Sequence, residues 1–336
     1  MSGPSAGILQ IVNYHYCQPA SNGVFSGVKG VRPTQFAWQA AAMKRDFHPV
    51  GPSVLDEGSF DDRMILVTVD DGTRDIYEHA LPILRAHGIP AILFCCSQPL
   101  EEGRVLDVQK IHLLQARWGL NRFRRAFMAA VKDEEPNPSL EDPARLGLDR
   151  LYRYDDPETR DFKILLNVQL PYSVLRPVLD RLFEAEFGDQ SEVVRHIYMS
   201  RDEILRARDM GFTIGLHTHS HAMLSRLDRS EQELEIARCA SFFETILGSP
   251  VPMLSYPFGI SGTFDQTTKE VLRSNGMVWA FTLGRRSVTR SDIADPFEVP
   301  RFDVNDVFGG HAGTDDVAWA VAEPGSKSTL SKSVDR

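Results

Sequence analysis

Long apolar runs are missing from this 336-residue chain. No uninterrupted stretch approaches the roughly 20 residues a spanning helix needs, so no membrane span is expected. An excess of basic residues is missing too. The formal net charge of −9 argues against non-specific binding to nucleic acid or to an anionic membrane surface. Cysteine is scarce: Cys17, Cys95, Cys96 and Cys239 show no C-x-x-C spacing, and Cys95–Cys96 sits in an apolar, strand-like run. Buried thiols in a reducing cytosol are the expectation. The opening "MSGPSAGILQIVNYHYC" has no basic segment followed by a long apolar one, so it does not read as a signal peptide. What remains is an acidic, soluble, cytoplasmic chain. With 42% apolar residues it can bury one large core or two small ones.

One pattern recurs along the chain: an amphipathic helix, a glycine stop, then a short apolar strand. "RDIYEHALPILRAHG" runs into "IPAILFCC", with Gly88 at a helix C-cap. "SRDEILRARDMG" runs into "FTIGLH", with Ser200 and Glu203 in capping-box spacing. "SEQELEIARCASFFETILG" repeats the device with Ser230, Glu233 and Gly248, and "DQTTKEVLRSNG" leads to "MVWAFTLG". "GILQIVNYH", "MILVTV" and "FEVPRFDV" add further strands. Such alternation predicts a mainly parallel α/β sheet or barrel. Residues 100–200 break the rhythm with two long helical stretches around the loop-like "KDEEPNPSLEDPARLG", an insertion that reads as a lid or substrate wall, or equally as a structural cap or oligomer surface. A catalytic barrel over 1–310 and a partly disordered tail over 311–336 are expected.

The strand "MILVTV" ends in Asp70-Asp71-Gly72, and "FTIGL" runs into His217, His219 and His221. Active groups of parallel α/β folds gather at the C-terminal ends of strands. A loop there can aim one carboxylate at a metal and its neighbour at a water. His217 and His221, four apart, share one side if the chain turns helical. Alone, the acidic pair reads as a turn or helix cap, and the histidines as a solvated loop. Together they favour a metal site, and one Asp with two neutral imidazoles suits Zn²⁺ or a similar first-row ion.

"VTVDDG" resembles the T-F-D-D-G motif of polysaccharide deacetylases, the NodB-homology domain of carbohydrate esterase family 4. "HTHSH" is similar to their H-[ST]-x-x-H motif and "SYPFG" to their third motif. The long middle segment and "VPRFDVND" further resemble a subgroup typical of surface-polysaccharide gene clusters. The resemblance implies a deformed (β/α)7-type barrel and metal-dependent removal of N-acyl groups from amino sugars. It makes Asp71, His217 and His221 the ligands of a divalent metal, Zn²⁺ first, with Co²⁺, Ni²⁺, Fe²⁺ or Mn²⁺ as alternatives. Asp70 becomes the general base, and His219 falls at a position that is not a ligand. The Phe258 N–H becomes a donor to the oxyanion, and Tyr256 and Pro257 shape its loop.

Two departures stand out. Ser255 occupies the place where some relatives carry an arginine that orients the base, and Arg301 is the candidate substitute. The usual C-terminal L-x-H, source of the general-acid histidine, is absent. His311 lies in a Gly-rich stretch there, whereas Tyr14-His15-Tyr16 resembles an N-terminal Y-H-x-V-like segment that supplies the acid in some relatives, so His15 is preferred. The implied substrate is an acetamido sugar, nucleotide-linked, lipid-linked or within a glycan. A sugar deformylase, an allantoinase-like amide hydrolase, or an inactive carbohydrate-binding barrel are the alternatives.

Overall fold

The computed structural model describes residues 7–308 except 20–22, 62, 136, 143–151 and 153–154. The tail from 309 onward, His311 included, therefore lies outside the described residues, as does part of the loop-like stretch around 140. In chain order the elements are β1 (Leu9–Tyr14), α1 (Pro33–Asp46), β2 (His48–Pro49), α2 (Ser53–Glu57), β3 (Met64–Val69), α3 (Leu81–His87) and β4 (Ala91–Cys95). Among the described residues seven α-helices follow: α4 (Gln98–Glu102), α5 (Asp107–Trp118), α6 (Leu120–Glu134), α7 (Pro157–Ile164), α8 (Tyr172–Phe187), α9 (Gln190–Ile197) and α10 (Arg201–Asp209). The chain then continues through β5 (Thr213–Leu216), α11 (Arg229–Leu247), β6 (Met253–Ser255), α12 (Gln266–Ser274), β7 (Trp279–Thr282), β8 (Val299–Pro300), β9 (Phe302–Asp303) and α13 (Val304–Phe308).

The strands run parallel in the order β8-β7-β6-β5-β4-β3-β1-β9, with β2 added at the start of β3. The two ends of this order, β8 and β9, are separated in the chain by a single residue, Arg301. Val299–Pro300 pairs with β7 and Phe302–Asp303 pairs with β1, so one segment closes the sheet into a barrel of seven strand positions. Closure removes the exposed sheet edges.

Strand parity separates two cores. Leu9, Ile11, Leu66, Ile92, Phe94, Met253, Trp279, Phe281 and Val299 pack together in the lumen, whereas their neighbours Val12, Val67, Leu93, Leu254 and Ala280 pack outward with helix residues such as Phe36, Leu84, Ile236 and Leu272. The period of two that alternates faces along a strand makes this division readable from sequence. Gly215 keeps the lumen open for Phe94: a Cβ there would lie 2.4 Å from Phe94 Cδ1.

The helical run between β4 and β5 has its own core, built on Phe123, Phe127, Phe162, Leu175, Leu179 and Phe183. Its last helix, α10, belongs to the barrel layer, where Ile204 and Ala207 join the outer core. Ser200 and Glu203 form the expected capping box, but α11 is capped by Asp228 with Glu231 rather than by Ser230 with Glu233. The helix begins two residues earlier than the sequence suggested, because Asp228 is an equally good cap and Ser230 is already inside the first turn. All four cysteines are free and buried. No helix among the described residues is long and apolar enough to cross a membrane.

Candidate active site

At the C-terminal mouth of the barrel the lumen changes from apolar to polar in the same strand phase. Asn13 follows Leu9 and Ile11, Thr68 and Asp70 follow Leu66, Ser255 follows Met253, and Arg301 follows Val299. His217 continues the phase of Thr213 and Gly215, and His15 that of Asn13. Asp71 is out of phase and would face the helix layer on an unbroken strand. Its left-handed backbone, φ 73°, turns it back to the mouth. Gly72 completes that turn at φ +67°, pressed so closely against β4 that a Cβ would sit 2.9 Å from Cys95 Sγ.

His217 and His221 converge without a helical turn. The segment between them is a loop in which Thr218 (φ 62°) and His221 (φ 60°) both adopt the left-handed conformation. Phe258 in the facing loop does so too, at φ 63°. Non-glycine residues held this way cost of order 1 kcal/mol or more each, and clusters of them mark working sites.

His217 Nε2 and His221 Nε2 lie 3.4 and 3.5 Å from Asp71 Oδ1. Ligands about 2.0–2.2 Å from a tetrahedral ion stand roughly 3.4 Å apart, so this spacing fits one. Asp71 Oδ1 is buried and has no hydrogen-bond partner among the described residues, which is costly unless an ion faces it. His217 Nδ1 lies 2.7 Å from the Ser255 carbonyl and must donate to it, leaving the Nε2 lone pair toward the cluster. The three residues form a possible metal site, and an O, N, N donor set suits a first-row divalent ion. Burial depresses imidazole pKa values, yet Asp70 and Asp71 leave His217 above its ordinary value. His221, also buried but beside His217, is pushed down to about 4.

Asp70 is handled differently. Arg301, fully buried, grips it with two hydrogen bonds of 2.9 Å, Nη1 to Oδ1 and Nη2 to Oδ2. Asn13 Nδ2 (2.9 Å) and Ser255 Oγ (3.2 Å) also donate to Oδ2. Arg301 itself is held by Asn13 Oδ1, Thr68 Oγ1, the Thr282 carbonyl and Ser255 Oγ. Burial pushes the Asp70 carboxyl up, but Arg301 and His217 more than offset it and hold it at about 2.

His15 Nε2 stands 4.0 Å from Asp70 Oδ2, on a side chain 36% exposed. Phe258 packs edge-on against the His221 ring, and its backbone N–H has no acceptor among the described residues. Tyr256 anchors that loop by stacking on Phe264 and donating its hydroxyl to the Phe297 carbonyl. His219 turns away from the cluster, with Nδ1 2.8 Å from Ser97 Oγ and Nε2 3.3 Å from Glu102. This Ser-His-Glu row is not a nucleophilic triad: Ser97 is fully buried, so no carbonyl can reach it.

The model of the family "Polysaccharide deacetylase" matches residues 57–116 and 187–280. These segments hold Asp70, Asp71, His217, His221 and the Phe258 loop, and they leave out most of the helical run. Over these two segments the chain is similar to the polysaccharide deacetylase family. Solved structures of deacetylases share its fold. Streptococcus pyogenes deacetylase PplD, solved with acetate, superposes with a TM-score of 0.56 at 12% identity, covering 89% of this chain and 93% of that one. IcaB from Ammonifex degensii gives 0.52 at 18% identity, with 89% and 92% covered. A de-N-acetylase from Aggregatibacter actinomycetemcomitans gives 0.51 at 13%, with 88% and 94% covered. No curated protein matches the chain by sequence. The polysaccharide deacetylase family acts on carbohydrates and is generally metal-dependent.

The sequence pointed to Asp70, Asp71, His217, His221, His15, Phe258 and Arg301, and the fold brings all seven to one barrel mouth. It did not single out Asn13, Thr68 and Gln109. Asn13 and Thr68 carried a usable signal, since each is a polar residue in the lumen phase of an otherwise apolar strand. Gln109, buried in α5, donates Nε2 to Asp71 Oδ2 at 2.9 Å, and nothing in its local sequence marks it.

Proposed function

We propose that this chain is a metal-dependent N-deacetylase of an acetamido sugar. The observation that carries the reading is the division of labour between two adjacent carboxylates. Asp71 offers an unpartnered oxygen to two imidazole Nε2 atoms, while Asp70 is locked in ionised form by Arg301. Asp71, His217 and His221 hold the ion, Zn²⁺ by preference. When bound, such an ion polarises an amide carbonyl and makes water acidic enough to attack near neutral pH.

The protein's own groups do the rest. Asp70 Oδ2 is saturated by three donors, whereas Oδ1 receives only Arg301, so Oδ1 is the oxygen that takes the proton of the attacking water. The Phe258 N–H donates to the oxygen that becomes negative as the amide carbon turns tetrahedral. His15, at the open side of the mouth, gives its proton to the departing amine, without which an amide anion would have to leave. A general base beside a metal site has no use in a simple binding module, which favours an enzyme over an inactive barrel. The substrate is nucleotide-linked, lipid-linked or a glycan. The four buried free thiols support a reducing, cytoplasmic setting and thus a precursor over finished polymer.

The test strips metal with a chelator, restores it, and follows acetate release from UDP- and GDP-linked acetamido sugars and from short acetylated oligosaccharides. Metal-dependent release is expected. Asp70→Asn should abolish it while metal content stays near wild type. Loss of metal from Asp70→Asn would reverse the roles of the two aspartates, and a metal-loaded wild type inert on every amide would sink the enzymatic reading.

A further inference from the structure

We propose that Gln109 is a positioning residue that makes Asp71 a one-oxygen ligand and couples the helical layer to the metal site. The inference rests on the reading of Asp71 as a ligand and adds to it a group from outside the barrel. Gln109 is fully buried on α5. Its Nε2 donates to Asp71 Oδ2 (2.9 Å), and its Oε1 accepts from the Tyr198 hydroxyl (3.2 Å). The Tyr198 oxygen in turn accepts the Leu106 N–H at 3.0 Å.

The order of donors in this row is forced. An ionised carboxylate can only accept, so the amide must present nitrogen to Asp71 and oxygen to Tyr198. Tyr198 has one proton to give and receives one from Leu106, which matches its two contacts. Each group therefore fixes the next, and in a buried setting such a row strengthens as a unit. The backbone repeats the connection, since Tyr198 forms an antiparallel bridge with Thr73 and Met199 N donates to the Gly72 carbonyl at 3.1 Å.

The consequence is chemical. With Oδ2 held toward Gln109, Asp71 presents Oδ1 to the ion, the atom that faces both imidazoles and lacks a partner among the described residues. Released from Gln109, the carboxylate could rotate and chelate through both oxygens, which would raise the coordination number and use a position otherwise open to water or substrate. The helical layer is thus part of the metal centre as well as a wall beside it.

The experiment measures affinity for Zn²⁺ on the full chain by competition with a chromophoric chelator, and the visible spectrum of the Co²⁺-loaded protein. Gln109→Met keeps the volume and removes the donor. It is expected to weaken Zn²⁺ binding by about 10–100-fold and to shift the Co²⁺ spectrum away from the four-coordinate form. Tyr198→Phe should move both readouts in the same direction by less. A purely structural role would lower the melting temperature and leave the affinity and spectrum of the folded protein unchanged. Zn²⁺ affinity of Gln109→Met within about twofold of wild type, with the same Co²⁺ spectrum, overturns the proposal. If Gln109→Met does not fold, an unchanged affinity in Tyr198→Phe overturns it instead. Acetate release is scored separately: a wild type that binds Zn²⁺ without turnover ends the deacetylase reading and leaves Gln109 judged on its metal data. A wild type that binds no first-row ion ends both.

Discussion

Replacing Arg301 by methionine tests the electrostatic core of the barrel mouth. The guanidinium is fully buried and makes six hydrogen bonds: two to Asp70 and one each to Asn13, Thr68, Ser255 and the Thr282 carbonyl. Methionine fills most of the volume but leaves the buried Asp70 carboxylate without its guanidinium, so that only the weaker opposition of His217, Asn13 and Ser255 remains against burial. Breaking a buried ion pair from one side costs about 3–5 kcal/mol. At roughly 2 °C per kcal/mol for a domain of this size, the melting temperature should fall by about 6–10 °C. The assay is a thermal melt of metal-free protein near pH 7, so that metal linkage does not enter. Most of the loss is the penalty of an unpaired charge. Asp70→Asn in the Arg301→Met background should therefore recover stability, by about 1–3 kcal/mol beyond the sum of the two single effects. If Arg301→Met melts within about 1 °C of wild type, or the double variant is no more stable than the single, the pair is not what holds this mouth together.

Two further outcomes follow from the same geometry. Asp75 is buried, accepts the Cys17 N–H on Oδ2 and leaves Oδ1 without a partner among the described residues; burial pushes its carboxyl up to about 7. The native state therefore holds this proton more tightly than the unfolded chain. Stability from this group is complete below pH ~4, falls as pH rises toward 7, and is level above it. Asp75→Asn, nearly isosteric and neutral, should remove that slope and gain up to roughly 4 kcal/mol at pH 8. Equilibrium denaturation at several pH values checks this, and an unchanged slope would refute it. His15→Ala should lower kcat by about 10²–10⁴-fold with zinc content intact, whereas His311→Ala should change little; equal effects on acetate release would remove His15 as the acid.

Much of this was legible in order along the chain. Helices ending at Gly88 and Gly248 and strands of period two follow from local rules, and so does the placing of Asp70 and His217 at strand ends. Lumen parity was there as well, since Leu9-Ile11-Asn13, Leu66-Thr68-Asp70 and Val299-Arg301 each pass from apolar to polar toward the mouth. Local rules failed where two good signals competed, as at Asp228 and Ser230. They failed also where backbone conformation was the deciding variable. The spacing of His217 and His221 would bring them together if the chain turned helical, but left-handed residues in a loop bring the two rings together instead.

The sequence by itself determined the alternating α/β pattern, the family motifs and the residue types available for a metal and a base. Only the tertiary structure decided which of these groups meet. Arg301 reaches Asp70 across 231 positions because β8 and β9 close the barrel around it. Gln109 reaches Asp71 because a separate helical core packs α5 over the mouth. His219 leaves the metal cluster because Ser97 and Glu102 hold it elsewhere. Each of these depends on hydrogen bonds between distant segments in a space that excludes water, and no local pattern encodes a partner that folding alone brings near.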